Sequence, residues 1–184
     1  MNKIVVSILL SLFVAANAWA ASGGADPKGT IHVGVKAGPS NLTNSPIGFG
    51  VYGGYTLFGP NTFKNNYFFS KLSFAVEGEY VSLGSVSGYS ASTMGVVAAA
   101  TYPINERFSA IAKAGVASLT HKYPNVYWCG TFSLCNGTAS VTTTGVHGGI
   151  AGQFNLTPKI GLRAGYDFYP DGFSMLSASG VFKF

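Results

Sequence analysis

The chain has 184 residues, which is enough for one domain. Only 9% of its residues are charged, whereas a soluble domain carries about 25%. The hydrophobic share is 47%, and this combination excludes intrinsic disorder, which requires low hydrophobicity and high charge. The net charge is +5, but the 11 lysines and arginines form no cluster along the sequence. We therefore expect no nucleic-acid partner.

Residues 1–20 have the features of a secretory signal peptide. Lys3 precedes an apolar run over 4–16, and Ala18 and Ala20 frame a small-residue cleavage site. The run is shorter than the roughly 20 residues that a spanning helix requires. The sequence predicts cleavage after Ala20, which leaves a single domain over 21–184. That domain contains no long apolar run, so membrane-spanning helices are excluded.

Cys129 and Cys135 are the two cysteines of the chain, and they lie in a polar, turn-prone stretch. In a secreted protein, a close and even pair of cysteines favours a local disulfide. Free thiols are the alternative. A metal site is disfavoured because no nearby histidine or cysteine completes a set of four ligands. No phosphate-binding or nucleotide motif occurs, and we expect no cofactor.

After the first twenty residues, polar and apolar residues alternate with period two, which is the pattern of strands that have two different faces. Turn residues or Gly-, Ser- and Asn-rich stretches separate the segments, and the longest predicted connection covers 121–138. The eight predicted strands are 29–38, 46–58, 67–82, 90–102, 106–120, 139–155, 159–168 and 174–184.

Two environments produce such strands: a soluble barrel or sandwich has its apolar face inside, whereas an outer-membrane barrel turns that face to lipid. Charge is too scarce here for eight strands facing water, and aromatic residues lie near the strand ends. In lipid every backbone polar group must be paired, so the sheet must close. We predict an all-β fold, a closed antiparallel eight-stranded transmembrane β-barrel. A soluble periplasmic barrel is the alternative.

By the same alternation, isolated charged residues fall on the face opposite the aliphatic and aromatic side chains. In a narrow barrel they would point inward and pair with one another, because an unpaired buried charge is costly. An ion pathway, or acid–base chemistry by the two glutamates, is the alternative use. The predicted interior network consists of Lys36, Lys71, Glu77, Glu79, Lys113, Arg163 and Asp167.

Several stretches together resemble the small eight-stranded outer-membrane proteins of Gram-negative bacteria, the OmpA-like barrels. The resemblance lies in residues 50–55, 102–110, 113–117 and 149–166, in that order and spacing, and it covers nearly all of 29–184. It also includes the terminal Phe184, which is similar to the C-terminal signal that the barrel assembly machinery reads.

The resemblance implies that both termini lie in the periplasm and that the longer loops lie outside the cell. The external loops would be 39–45, 83–89, 121–138 and 169–173, so the disulfide would be external. The peptidoglycan-binding domain of many relatives does not follow the barrel, so a cell-wall tether is not implied. Short members of the family that consist of the barrel alone include proteins of adhesion and serum resistance.

The 121–138 segment is the strongest candidate for external contact, because an aromatic-rich exposed loop can bind a host protein, a phage or a glycan. Packing of the loop on itself or on the lipopolysaccharide surface is the alternative. Its candidate contact residues are Tyr123, Tyr127, Trp128, Phe132 and Leu134.

An enzymatic role is disfavoured. Some barrels of this size modify lipid A, but the His-x-Ser arrangement of the deacylases is absent, because Gly148 and Gly149 follow His147. We assign His147 to interior hydrogen bonding and predict no catalytic residue.

The sequence therefore predicts a monomeric structural or surface-interaction protein. A narrow ion or small-solute channel is the first alternative and a lipid-A-modifying enzyme the second. The expected partners are outer-membrane lipid, lipopolysaccharide, the barrel assembly machinery and a host surface molecule.

Overall fold

The computed structural model describes residues 26–42, 44–63, 67–128 and 134–184, with the backbone alone for 125–128 and 134–136. The predicted signal peptide lies outside these residues. Among them, no helix combines the length and the apolar character needed to cross a membrane.

Eight antiparallel strands follow one another around a closed barrel, in which β1 pairs with both β2 and β8. The predicted fold class is confirmed. The strands are β1 (Ile31–Pro39), β2 (Ile47–Phe58), β3 (Ser73–Val86), β4 (Tyr89–Pro103), β5 (Phe108–Trp128), β6 (Leu134–Asn155), β7 (Ile160–Phe168) and β8 (Ser174–Lys183).

The outer surface of the barrel is apolar and the inside carries the polar side chains. On β2, the outward-facing Phe49 and Val51 are 63% and 54% exposed, whereas the inward-facing Tyr52 is 6% exposed. The outward positions of β2 run from Ile47 to Leu57, ten steps of about 3.3 Å, or about 33 Å along the strand. With a tilt of about 40° this gives a band about 25 Å tall, the height of the apolar band on a membrane barrel.

The two ends of the barrel differ in their connections. The terminal end carries the start of β1, the end of β8 and the connections 59–72, 104–107 and 156–159. The distal end carries the connections 40–46 and 87–88, the outer ends of β5 and β6, and 169–173, which includes a short 3-10 turn (Pro170–Gly172).

The strand predicted over 67–82 begins later than expected. β3 starts at Ser73, and the residues before it form turns and a single 3-10 turn over Phe69–Lys71. Aromatic rings of this connection pack against the outside of the barrel, and its backbone does not extend the sheet. The distal connection predicted over 83–89 is also shorter, because β3 and β4 continue their pairing to Val86 and Tyr89.

The segment predicted as a loop over 121–138 is largely paired strand. β5 and β6 have 21 and 22 residues and stay in register out to Trp128 and Leu134. Near the base of this extension, Thr120 and Thr142 form a cross-strand pair with a hydrogen bond of 3.0 Å between their hydroxyls. The loop prediction was wrong because it depended on the polar, turn-prone composition of this stretch, which does not exclude a paired strand. Pro124 lies beyond Lys122, where the β4 pairing ends, so its missing N–H interrupts no ladder on that side.

Interior glycines make room for the larger polar side chains. A Cβ on Gly34 would lie 2.4 Å from the ring of Tyr52. A Cβ on Gly54 would lie 2.5 Å from His32 Nε2 and 2.9 Å from Glu77 Cγ. Gly78 on β3 faces outward instead, and a Cβ there would meet nothing within 4 Å.

The contrast between Gly54 and Gly78 gives a matched test. We expect Gly54→Ala to lower the free energy of unfolding by about 1–3 kcal/mol, because the added methyl must displace His32 or Glu77. Gly78→Ala adds the same methyl to the lipid-facing surface and should stay within about 0.5 kcal/mol of the parent. Denaturant titration in detergent or bilayers, read by heat-modifiable gel migration, measures both. Equal stability of the two variants would contradict this account of the interior.

Candidate functional site

Among the described residues, four cationic and four anionic side chains lie in the barrel interior, so their formal charge is balanced when the histidines are neutral. Four of the chain's six acidic residues lie here. Ion pairs of 2.5–3.1 Å join the eight groups. The cations are Lys36, Lys113, Arg163 and Lys183, and the anions are Asp26, Glu77, Glu79 and Asp167.

The first group, which we call the Lys36 cluster, spans four strands. Lys36 Nζ on β1 donates to Glu79 Oε2 on β3 at 2.8 Å and to Asp167 Oδ2 on β7 at 3.1 Å. Lys113 on β5 lies 2.5 Å from the other oxygen of Asp167. All four side chains are at most 5% exposed. Because each residue comes from a different strand, these contacts can form only when the barrel is closed.

Two rings complete this cluster. Lys36 Nζ donates a third hydrogen bond, of 3.0 Å, to the hydroxyl of Tyr169. The ring of Tyr169 stacks on His147 with centroids 4.7 Å apart. His147 is fully buried, and its Nε2 lies 3.2 Å from Glu79 Oε1. The 169–173 connection thus reaches down into the barrel through Tyr169, which is 3% exposed.

The second group, the Arg163 cluster, lies nearer the terminal end. Arg163 on β7 donates from NH1 to both oxygens of Glu77 on β3, at 3.0 and 3.3 Å. His32 Nε2 on β1 donates to Glu77 Oε1 at 2.9 Å. The guanidinium also lies 4.9 Å from the ring centroid of Tyr52, a cation–π arrangement. Glu77 is therefore held from two sides.

A chain of amides continues from Arg163 to the terminal opening. Arg163 Nε donates to Gln153, and Gln153 donates to Asn155 at 2.9 Å. Lys183 bonds Asn155 at 3.2 Å and Asp26 at 2.6 Å. Asp26 precedes β1, so the last ion pair fastens the start of the domain to its final strand.

The network fills the interior of the barrel and links its strands to one another. Its charges neutralise one another, and its side chains are held by partners on several strands. Among the described residues, no group of three histidine, cysteine or acidic side chains is placed to hold a metal ion.

One of the seven predicted network residues is not inside. Lys71 lies in the turn before β3, on the outer side of the barrel, where its Nζ donates to Tyr67 at 2.8 Å. The prediction was wrong because the period-two pattern was extended through 67–72, where the backbone turns. The other six residues are buried in the interior.

Sequence reasoning missed His32 and Tyr169. His32 alternates with Gly34 and Lys36, opposite Ile31, Val33 and Val35, so the period-two signal was present. Tyr169 had no such signal, because it belongs to a connection and not to a strand. Its inward position depends on the turn over Pro170–Gly172, in which Asp171 has a φ of 58°.

The predicted contact residues lie on the β5–β6 hairpin. Tyr123 is on β5 and 38% exposed. The backbones of Tyr127, Trp128 and Leu134 are in paired strands, while Phe132 lies outside the described residues. Cys129 also lies outside them, so the disulfide with Cys135 remains a prediction.

Phe184 follows β8 at the terminal end. Its amide donates to Ile31 O at 2.8 Å, and its side chain is 69% exposed on the outer surface. The structure thus places the predicted assembly signal where another protein or lipid can reach it.

A small cavity of about 310 Å³ opens at the distal end, between the 40–46 and 169–173 connections. Beside it, His121 links three elements, with Nδ1 2.6 Å from the Tyr89 hydroxyl and Nε2 3.4 Å from Asp171. These contacts brace the base of the β5–β6 hairpin against the 169–173 connection.

Comparisons with known proteins agree with the geometry. Residues 6–180 match the family model described as the outer membrane protein beta-barrel domain. No curated protein sequence matches the chain closely enough to count as a relative.

Two solved structures illustrate the likeness in fold. The N-terminal β-barrel domain of OprF from Pseudomonas aeruginosa aligns with a TM-score of 0.60 and 12% identity, over 86% of this chain and 100% of that one. Ail, the attachment invasion locus protein of Yersinia pestis, solved with the heparin analogue sucrose octasulfate, aligns with a TM-score of 0.54 and 18% identity. That alignment covers 85% of this chain and 99% of the other. At these identities the likeness concerns the fold alone.

The pairing of Glu77 with Arg163 predicts a specific pattern of stabilities. Glu77→Leu leaves the guanidinium buried without its partner and should cost about 3–5 kcal/mol of unfolding free energy. The double variant Glu77→Leu with Arg163→Met removes both charges and should recover most of that loss. Glu106→Gln, on the exposed 104–107 turn, is the control and should leave stability unchanged. A double variant no more stable than Glu77→Leu would show that the ion pair does not govern this part of the interior.

Proposed function

The chain belongs to the outer membrane protein beta-barrel domain family, and from that premise we propose that it is a surface-interaction protein that binds an extended polypeptide on its projecting β5–β6 hairpin. This is a binding role and not a catalytic one. The observation that carries the proposal is the open edge of β6, which continues far beyond the neighbouring strand.

The hairpin projects because its neighbours stop early. β4 pairs with β5 only as far as Lys122, and β7 pairs with β6 only from Gly148 onward. Between Leu134 and His147, β6 has β5 on one side and no strand on the other in the described part of the chain. An unpaired edge presents backbone N–H and C=O groups that a further strand can use.

The two edges of the hairpin differ at their bases. On the β5 side, Pro124 packs against the 87–88 turn, where a Cβ on Gly88 would lie 3.4 Å from the proline ring. On the β6 side, Pro170 approaches Gly145 in a similar way. The accessible part of the β6 edge therefore ends at Thr144, and its side chains are described from Gly137 onward.

The residues of this edge favour strand addition. Residues 137–144 contain threonines and Val141 and carry no charge, whereas protective edges usually carry lysine, proline or a bulge. β-branched residues also have high strand propensity. The edge thus lacks the features that keep strands apart, which fits a surface used for pairing.

We propose the orientation of the barrel from the family to which the chain belongs. The distal end faces the outside of the cell and the terminal end faces the periplasm, after removal of residues 1–20. The barrel inserts as a monomer, with Phe184 presented to the barrel assembly machinery. Lipid and lipopolysaccharide contact the outer band, and a host surface protein supplies the added strand.

A narrow channel is the second candidate, and a specific observation favours it. Several buried polar atoms around the Lys36 cluster, among them Thr93 Oγ1 and Nδ1 of His147, have no hydrogen-bond partner among the described residues. Such atoms usually form hydrogen bonds with buried water, and water in the interior is required for ions to pass through it. Planar-bilayer recording with the purified protein separates the candidates, since the surface-interaction role requires no conductance.

Binding by the edge can be tested with one cross-strand pair. Thr142→Lys and Thr120→Lys each break the same hydroxyl hydrogen bond and add the same charge. Only Thr142 lies beside the open edge, because Thr120 is flanked by Ser92 on β4. We expect cells displaying the intact chain to adhere to cultured mammalian cells, and Thr142→Lys to reduce adherence severalfold while Thr120→Lys preserves it.

A shortened hairpin gives the limiting case. Replacing 124–138 by Asn-Gly joins Tyr123 to Ala139, which already face each other in the register, through a favoured two-residue turn. This variant should fold, as judged by heat-modifiable migration, and should lose adherence. Adherence equal to that of the intact chain would refute the proposal.

A further inference from the structure

The described parts of the 59–72 connection, 59–63 and 67–72, lie against the lipid-facing surface at the terminal end. The ring of Phe68 stacks on Tyr102 of β4, with centroids 5.3 Å apart and planes 18° apart. The ring of Phe63 contacts Phe58 and Phe74 at 5.9 and 6.0 Å. Tyr102 and Phe74 both belong to the outward face of the barrel, so the connection continues that face instead of covering the opening.

At the edge of this aromatic cluster lies a cation on an exposed ring. Lys71 Nζ donates to the Tyr67 hydroxyl at 2.8 Å and lies 4.3 Å from the ring centroid. Tyr67 is 78% exposed. The hydrogen bond with Tyr67 raises the pKa of Lys71, so the ammonium stays charged at physiological pH. It has three N–H donors, and one of them is used here.

The position of Tyr67 and Lys71 on the barrel determines which part of a bilayer surrounds them. Aromatic rings such as Tyr102 and Phe108 at the strand ends lie at the level of the headgroups. Lys71 lies near Tyr102, on which the neighbouring Phe68 stacks, so in a bilayer we expect its ammonium at the depth of the lipid phosphates. A lysine beside an aromatic ring, with its apolar stem along the surface, is well suited to hold such a phosphate.

The charge of the terminal rim favours anionic lipid over zwitterionic lipid. Cations occur on each of its segments, whereas Asp26 is already paired with Lys183. At the distal end, the charges of Lys122 and Asp171 cancel in the formal sum. Among the described residues, the cations at the surface of the terminal rim are Lys28, Lys71, Arg107 and Lys159, against one further acidic side chain, that of Glu106.

We propose that Tyr67 and Lys71 form a headgroup site for anionic phospholipid, in which the Lys71 ammonium binds the lipid phosphate and the Phe63 and Phe68 cluster receives the upper part of the acyl chains. The site is independent of the β5–β6 hairpin. It gives the barrel a preferred lipid at one end, and in the proposed orientation this end lies in the phospholipid leaflet.

The proposal is tested with the full barrel in nanodiscs of phosphatidylcholine mixed with phosphatidylglycerol. Native mass spectrometry after release counts the phosphatidylglycerol molecules that remain bound. Lys71→Gln should lower retention more than fivefold, because a factor of about five, or about 1 kcal/mol, is what one lysine contributes through diffuse attraction to an anionic surface alone. Lys159→Gln is the matched control: it removes the same charge from the same rim, no cation–π contact of Lys159 occurs among the described residues, and its loss should not exceed that factor.

Two results would overturn the site. Equal losses in Lys71→Gln and Lys159→Gln would mean that diffuse rim charge attracts the lipid, and no loss in Lys71→Gln would remove Lys71 from the contact. Glycerol phosphate added in solution should not displace the lipid, and displacement would instead indicate a site for a free phosphate. Stability in phosphatidylcholine alone should be the same for all three proteins, which separates lipid binding from folding.

Discussion

The constraint on which the rest of the structure depends is that lipid offers no hydrogen-bond partner to the backbone. A sheet that spans the membrane must therefore pair its first strand with its last, as β1 does with β8 from His32–Lys183 to Ala37–Ala178. Closure then separates two environments. Aliphatic and aromatic side chains take the outward positions, and every charged group of the spanning strands is confined to a narrow interior.

Confinement explains the chemistry of that interior. Buried charges are tolerated only when they are paired. Six of the eight interior charges are matched through contacts between β1, β3, β5 and β7, and Lys183 on β8 pairs with Asp26. Glycines at positions such as Gly54 provide the space. The low charge content of the chain is thus a consequence of its surroundings, because lipid-facing positions carry none and the interior has room for few. The two binding regions that we propose lie outside the band, on the β5–β6 hairpin at one end and on the 59–72 connection at the other.

Much of the fold and of the interior could be predicted from the sequence, because successive residues of a strand point to opposite faces and the two faces here differ in polarity. The strand count, the barrel and six interior charges follow from that period. It fails where the backbone leaves the strand: Lys71 keeps the alternation but lies in a turn, and Tyr169 enters the interior from a connection. The hairpin was missed for a different reason. Its outer part is held by pairing between β5 and β6, and the polar, turn-prone composition of 121–138 does not reveal that pairing.

The most direct test of the central claim is backbone amide hydrogen exchange, followed by NMR in lipid nanodiscs. If the sheet is closed, amides of β1 and β8 such as those of Val35 and Gly180, which face each other, exchange as slowly as those of β3 and β4. Amides on the free edge of 137–144 exchange quickly. Rapid exchange along β1 and β8, with protection elsewhere in the sheet, would show an open sheet and contradict the account.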